Sequence, residues 1–430
     1  MKKSLQSQLV KSLPWGLLAI WVLFTPSVWK LDGHFHQINS VGSFFGAASF
    51  IFFGFSLFFV TKLRKLEDWV GGLDKAFQYH QFLGKVGFVC LLIHVFTFAL
   101  KWASRGVTSY FLYVLPLHDR LSMNLGSYAF IFTTLILTIT IFKLLPYHIW
   151  KRVHRLMGVV FFLSFLHFFL SYKTLGSGLS NAILYFAAFI GLVSVIYKQF
   201  LFPFFVRYFK YTVVKTEVIS ETLQKITLRT KNRTIRFFPG QYAFIHFEEA
   251  KFSQEQHPFT LARNGESNDL FIYVKNRGDY TEAIRGSLQP NWTAFLEGPY
   301  GRLDYRSHQK QIWIAGGIGI ALFLSWMHSV KPNHGKTIDL FFCCHNRADL
   351  AVLEEFEVLK QGVSGIQVFT FCSEDNKRLS TDEIIKACPD YKKRKFFMCG
   401  PRKLTYDMRK KLVGLSVKKT NIEYEDFNFF

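Results

Sequence analysis

Acidic residues are scarce in the first half of this 430-residue sequence. Residues 1–210 hold five (Asp32, Glu67, Asp68, Asp74 and Asp119) against 20 Lys and Arg. Cysteine is sparse and one-sided: Cys90, Cys343, Cys344, Cys372, Cys388 and Cys399 show neither zinc-binding spacing nor the density of a secreted disulfide scaffold. Five of the six lie beyond residue 340, which suits a reducing compartment for that end. With 12 Pro and 29 Gly, collagen-like and low-complexity architectures are excluded. Aromatic residues abound instead, at 18% with 50 Phe, and exclude disorder. Half of the residues are hydrophobic, and a mean hydropathy of +0.16 stands beside a formal net charge of +22. That combination implies an apolar part fused to a polar one, within a length that suggests about three domains.

The charge excess belongs to the apolar part. The last 220 residues carry 32 basic and 25 acidic side chains, a soluble-like balance, so the excess does not indicate a nucleic-acid partner. In the first 210 the charges separate uncharged runs at Ser12–Trp29, Gly33–Thr61, Val86–Leu100, Leu121–Phe142, Leu156–Tyr172 and Thr174–Tyr197. Most approach the ~20 residues that cross a bilayer core, and the third does so if it begins near His80. Six membrane helices are expected, the first an anchor and not a removed signal. With the N-terminus inside, 15 basic residues fall on the inner side and five on the outer. The positive-inside rule then places both termini in the cytosol, and the cell membrane is the simplest location.

Polar groups at membrane depth are costly, and four histidines sit there in a pattern. His80 and His94 are 14 residues apart in the third span, and His154 and His167 are 13 apart in the fifth. Four helical turns take about 14.4 residues, so His80 and His94 share a face about 21 Å apart along the axis. On parallel spans His80 can oppose His154 and His94 can oppose His167, the arrangement that two bis-imidazole haems require. The 13-residue spacing falls about 140° short of four turns, which a tilt, an irregular turn or side-chain reach must absorb. Interhelical hydrogen bonding is the plainer reading of one membrane histidine, but two matched pairs favour haem ligation. His148 reads as a loop or interface residue, and His34, His36 and His118 as residues of outer loops.

From about Tyr211 the pattern turns to short strands, Tyr211–Ile219, Gln224–Thr230, Gln241–Phe247, Pro258–Ala262, Leu270–Lys275 and Trp292–Glu297, which suggest a small antiparallel barrel. After Arg306 strands and helices alternate, with strands at Gln311–Ala315, Thr337–Cys343, Ile366–Phe371, Lys395–Met398 and Asn421–Tyr424, as in a parallel α/β sheet. The expected domains are therefore 1–210, 211–306 and 307–430. Ala315-Gly316-Gly317-Ile318-Gly319 joins a strand to a helix, where glycines let a backbone approach a pyrophosphate. Gly278-Asp-Tyr-Thr281, with Lys275 and Arg277 beside it, is a second phosphate candidate, or a plain turn and helix cap.

Together these residues resemble the transmembrane NADPH oxidase and ferric reductase family, in which a haem-binding six-helix domain precedes a flavin- and nicotinamide-binding reductase module. The resemblance runs from about residue 13 to the C-terminus. It implies that His257-Pro258-Phe259-Thr260 lines FAD, with the Thr260 hydroxyl near the isoalloxazine, and that Gly278 and Thr281 form the flavin-diphosphate turn. Phe237-Phe-Pro-Gly-Gln-Tyr242 and Glu297-Gly-Pro-Tyr-Gly301 are similar to its other flavin-domain segments. Gly316, Gly317 and Gly319 correspond to its nicotinamide-dinucleotide loop, Cys399-Gly400-Pro401 to the stretch near hydride transfer, and Phe430 to an aromatic stacked on the flavin. In two places the chain departs from the family. Ile320-Ala321 replaces the usual Thr-Pro after the glycine loop, and no acid closes the strand Thr337–Cys343. Arg347, Lys377 and Arg378 instead offer cations for a 2′-phosphate, favouring NADPH over a still possible NADH.

The expected activity is electron transfer from NADPH through FAD and two b-type haems to an outer acceptor. Oxygen would give superoxide; the alternative is a ferric chelate. A proton channel leaves the dinucleotide module without a role, and a membrane haem donor to another protein would not need a complete reductase. No obligatory protein partner is evident, and the bilayer is the expected surrounding.

Overall fold

A long apolar run in lipid must satisfy every backbone N–H and C=O within itself, and a helix does so. In the computed structural model, which describes residues 2–25, 34–171, 178–248, 255–263, 269–332 and 335–426, the chain forms two units, Met1–Phe205 and Val206–Phe430. The first unit is built of helices: α1 (Lys2–Leu23), α2 (His34–Phe59), α3 (Arg64–Val70), α4 (Leu73–Ala99), α5 (Val107–Leu112), α6 (Leu121–Ile141), α7 (Tyr147–Arg155), α8 (Met157–Ser171), α9 (Gly178–Ile196) and α10 (Phe202–Phe205). Among the described residues, five stretches are long and apolar enough to cross a membrane: Asn39–Phe59, Leu73–Trp102, Leu121–Ile141, Tyr147–Ser171 and Gly178–Phe205. The first expected run is helical only to Leu23, and its last residues fall outside the described ones.

Two expectations need correction here. The fifth span is not one helix: a turn at Leu156 (φ −64°, ψ −14°) separates α7 from α8, so His154 and His167 belong to different helices. His34 and His36 lie in helical backbone, at the start of α2, and not in a loop.

The second unit begins with an antiparallel sheet of seven strands: β1 (Tyr208–Val218), β2 (Leu223–Arg229), β3 (Tyr242–Glu248), β4 (His257–Thr260), β5 (Ala262–Arg263), β6 (Leu270–Lys275) and β7 (Thr293–Tyr300). Their order is β4-β3-β7-β1-β2-β6-β5. A single residue, Leu261, joins the two edge strands, which brings the sheet's edges together around a core of Tyr211, Ile226, Leu228, Ile245, Phe247, Ile272 and Leu296. Helix α11 (Asp279–Ser287) follows β6 and buries Tyr280 and Ile284.

A parallel sheet follows, of β8 (Lys310–Gly316), β9 (Thr337–Cys344), β10 (Ile366–Cys372), β11 (Lys395–Cys399) and β12 (Ile422–Glu425), in the order β10-β9-β8-β11-β12. Helices α12 (Ile320–Met327), α13 (Val352–Lys360), α14 (Thr381–Ala387) and α15 (Arg402–Gly414) connect these strands. The build direction reverses between β8 and β11, and ligands of open parallel sheets bind beyond the strand ends at such a switch. All eight residues of α12 are buried. Ser325 Oγ accepts the Gly240 N–H at 2.9 Å and donates to Leu261 O at 2.6 Å, while Trp326 Nε1 donates to Pro239 O at 3.0 Å. The loop before β3 is thereby fastened to the helix that follows the glycine turn.

Candidate functional site

Each membrane histidine is steadied by a different helix from its own. His94, on α4, donates from Nδ1 to Gly42 O of α2 at 2.8 Å, and His167, on α8, donates to Ser122 O of α6 at 2.6 Å. His80 Nδ1 lies 2.9 Å from both Ser56 O and Ser56 Oγ, and the serine proton goes to His80 O at 3.0 Å. His154 Nδ1 lies 3.2 Å from Thr140 Oγ1. That hydroxyl donates to Ile136 O (2.7 Å) and accepts from Trp150 Nε1 (3.0 Å), so it is an acceptor for the histidine as well. Oxygens that can only accept fix the proton on Nδ1 in all four rings and leave each Nε2 lone pair for a metal.

The ring centres of His80 and His154 are 6.1 Å apart, with planes at 85°. Two imidazoles on one iron, with metal–nitrogen bonds of about 2 Å and about 1.1 Å from nitrogen to ring centre, stand about 6.3 Å apart. The residues therefore fit a bis-imidazole metal centre. The His94 ring packs edge-on to Phe98 at 5.2 Å. Lys101 Nζ stands 4.5 Å over Phe98 and is held by Asn39. Beside α5 an apolar groove of about 600 Å³ is lined by Phe96, Val107, Phe111, Leu112, Leu115 and Phe130.

In the second unit the sheet's switch point brings Gly316 and Cys399 side by side, since Ala315 pairs with Cys399 across β8 and β11. The approach is too close for side chains. A Cβ on Gly319 would fall 2.1 Å from Cys399 O, and one on Gly316 would fall 2.6 Å from Leu404 and 2.8 Å from Pro401. Gly317 adopts φ +53° and faces Lys275, whose Nζ is 4.0 Å from the position a Cβ would take. Lys275 is ion-paired with buried Asp349 at 2.6 Å, and Thr222 donates to the same carboxylate at 2.8 Å. The ammonium thus sits beside the glycine loop.

On the flavin side, His257 stacks on Tyr280 (4.2 Å, 18°) and its Nε2 is 3.0 Å from Glu255. That stack joins β4 to the turn Gly278–Thr281, where Thr281 Oγ1 accepts the Arg277 N–H at 2.9 Å and donates to Gly278 O at 2.9 Å. Thr260 is buried and paired with Tyr242. Phe259 packs in the core of the antiparallel sheet, on the face of β4 that alternation gives it. Pro258 lies on the opposite face, beside Phe244. Arg347 is exposed but engaged: its backbone N–H donates to Glu374 at 2.9 Å and its Nε to Asp375 at 2.6 Å. Arg378 is exposed in the loop after β10, Gly400 and Pro401 lead into α15, and Phe430 lies outside the described residues. His118 is absorbed structurally, exchanging two 2.8 Å hydrogen bonds with Asn124.

Sequence reasoning missed the oxygens that hold the four histidines, and it missed Asp349 and Glu425. Glu425, at the end of β12, accepts the Arg302 N–H at 3.0 Å and ties the chain's last strand to the end of β7. Glu355 is another omission. Against the cost of its burial, hydrogen bonds from His328 at 2.9 Å and Lys225 at 2.6 Å bring its carboxyl down to about 2. Burial alone pushes the Cys343 thiol up to about 12, and is the main cause for Cys344 and Cys388 at the same value, so none of the three is a ready nucleophile.

Three family models match successive parts of the chain: a ferric reductase like transmembrane component over residues 45–165, an FAD-binding domain over 206–304 and an oxidoreductase NAD-binding domain over 313–410. Ferric reduction oxidase 4 of Arabidopsis thaliana is 22% identical over 88% of this chain and 56% of its own length. NADPH oxidase 3 of Rattus norvegicus is 30% identical over 27% of this chain and 23% of its own. The chain thus spans about half of the plant relative and about a quarter of the rat one. Among solved structures, flavohemoglobin from Malassezia yamatoensis with bound FAD and heme superposes with a TM-score of 0.50 at 16% identity, over 80% of this chain and 97% of that one, a likeness of fold.

Proposed function

The chain is an oxidoreductase of the ferric reductase and NADPH oxidase family, and from that premise we propose that it carries electrons from cytosolic NADPH across the cell membrane to oxygen, releasing superoxide on the outer side. The observation that carries this reading is the facing of His80 and His154 at 6.1 Å with their Nδ1 protons engaged elsewhere. When bound, FAD accepts hydride from NADPH and two b-type haems relay single electrons. The chain's own residues bind, orient and exclude water. His80 and His154 hold the inner haem, and His94 and His167 the outer one. Gly316, Gly317 and Gly319 admit the dinucleotide's pyrophosphate, with Lys275 beside them; Cys399, Gly400 and Pro401 border the nicotinamide. His257, Pro258, Phe259 and Thr260 line the flavin, Arg277, Gly278 and Thr281 take its diphosphate, and Phe430 stacks on it. Arg347 and Arg378 meet the 2′-phosphate of NADPH. In this scheme α1 completes six spans, residues 1–210, 211–306 and 307–430 divide the work, and both termini are cytosolic.

The apolar groove beside α5 supports a small neutral acceptor such as oxygen. A ferric chelate is the second reading, favoured by the match of a plant ferric reduction oxidase over 88% of this chain and by the Lys101 charge near His94. NADPH-driven turnover of the purified protein with FAD separates them. Dismutase-sensitive cytochrome c reduction accounting for most NADPH consumed is the expected result. Fast anaerobic reduction of a ferric chelate with little superoxide would instead make it a metalloreductase.

A further inference from the structure

We propose that Gly46 and Gly126 are positioning residues that omit a side chain so that His94 and His167 can reach a helix carbonyl and keep Nε2 directed at iron; this rests on the two-haem reading above. In an α-helix the carbonyl of residue i already accepts the N–H of residue i+4, and the side chain at i+4 leans back over it. A carbonyl has a second lone pair, but an imidazole can use it only if residue i+4 leaves the approach open. The acceptor of His94 is Gly42 O and the residue four further on is Gly46; the acceptor of His167 is Ser122 O and the residue four further on is Gly126. A Cβ on Gly46 would fall 2.6 Å from His94 Nδ1 and 2.8 Å from its Cε1. On Gly126 it would fall 2.7 Å from His167 Nδ1 and 2.9 Å from its Cε1.

The same device thus occurs on two helices, α2 and α6, that serve two different ligand-bearing helices. Other membrane glycines have another purpose. A Cβ on Gly54 would meet Ala187 O at 2.6 Å, and one on Gly191 would meet the Phe161 ring at 2.3 Å, contacts of ordinary helix packing with no ligand nitrogen involved. The His80 and His154 pair does without the device: His80 reaches Ser56 O at 2.9 Å in the last turn of α2, where the residue four further on, Val60, already lies beyond the helix, and His154 uses the Thr140 hydroxyl. Gly84, opposite Ser56 Oγ at 3.6 Å, would tolerate a methyl group.

The test compares full-length Gly46→Ala, Gly126→Ala and, as the control, Gly84→Ala, by haem b per FAD and by potentiometric titration of the haem bands. Losing an outer partner of a metal-bound histidine weakens a site roughly 10–100-fold. Gly46→Ala and Gly126→Ala should therefore fall from two haems per FAD towards one, and any haem kept in that site should titrate at a higher midpoint, its imidazole being a poorer donor. Gly84→Ala should keep two haems with both midpoints unmoved. Should Gly46→Ala lose FAD as well, Gly126→Ala, on the other helix pair, decides alone. Two haems with unmoved midpoints in both test variants would overturn the proposal, and so would loss of FAD with all haem in both. A wild-type protein without haem would instead contradict the two-haem reading itself.

Discussion

Four oxygens on neighbouring helices steady the membrane histidines, three backbone carbonyls and one threonine hydroxyl, whereas in the dinucleotide unit an ion pair, Lys275 with Asp349, stands beside the glycine loop and a second, Lys225 with Glu355, lies elsewhere in the same unit. The difference follows from the surroundings. At membrane depth a carboxylate partner would cost several kcal/mol, so neutral oxygens already paid for by helix formation are the available acceptors. At the border of a water-facing cleft, charged pairs can form and part again when an anionic ligand arrives.

Breaking a ligand of the membrane unit should have the largest effect. His94→Ala should abolish reduction of the outer acceptor while NADPH still reduces the flavin at the wild-type rate; stopped-flow absorbance at flavin and haem bands separates the two. Loss of both would contradict the order of carriers. In the other unit, Gly240→Ala tests a packed contact. Gly240 has φ +85°, and a Cβ there would lie 2.3 Å from Trp326 Nε1. Thermal unfolding followed by flavin fluorescence should show a loss of about 1–3 kcal/mol, with haem content unchanged.

Smaller effects sharpen the contrast between neutral and charged supports. Replacing Lys275 alone would leave Asp349 buried and unbalanced, so the informative variant is Lys275→Met with Asp349→Asn. Its KM for NADPH should rise roughly tenfold at unchanged kcat, the value of one charge-assisted hydrogen bond. Glu355 supplies a pH test. Its folded value near 2 lies below its ordinary 4.5, so its contribution to stability is full above pH 4.5 and is lost as pH falls towards 2. Glu355→Gln should flatten acid unfolding of the dinucleotide unit in that window, and an unchanged acid limb would remove Glu355 from the account. Least of all, Arg347→Ala should lower the NADPH-over-NADH preference in kcat/KM a few-fold, since its guanidinium is 73% exposed and already shared with Asp375.

Much of the architecture is visible in linear sequence because it depends on local pattern. Uncharged runs, the His80–His94 spacing and the turns at Gly316 and Gly278 are set within a few dozen residues. What stayed hidden depends on distant partners. The Gly42 carbonyl is 52 residues from His94, the Ser122 carbonyl 45 from His167, and Asp349 74 from Lys275. No Pro or Gly occupies position 156 to announce the break between α7 and α8. One signal was present and unread: Gly42 with Gly46, and Ser122 with Gly126, repeat a small-residue spacing of four that allows close helix approach.

The most direct measurement is the haem b content of the purified wild-type chain, taken with the low-temperature electron paramagnetic resonance of the ferric protein. Two haems per chain with low-spin bis-imidazole signals are predicted, one from His80 with His154 and one from His94 with His167. A chain with no haem, or with a high-spin signal from a five-coordinate site, would contradict the paired-histidine account.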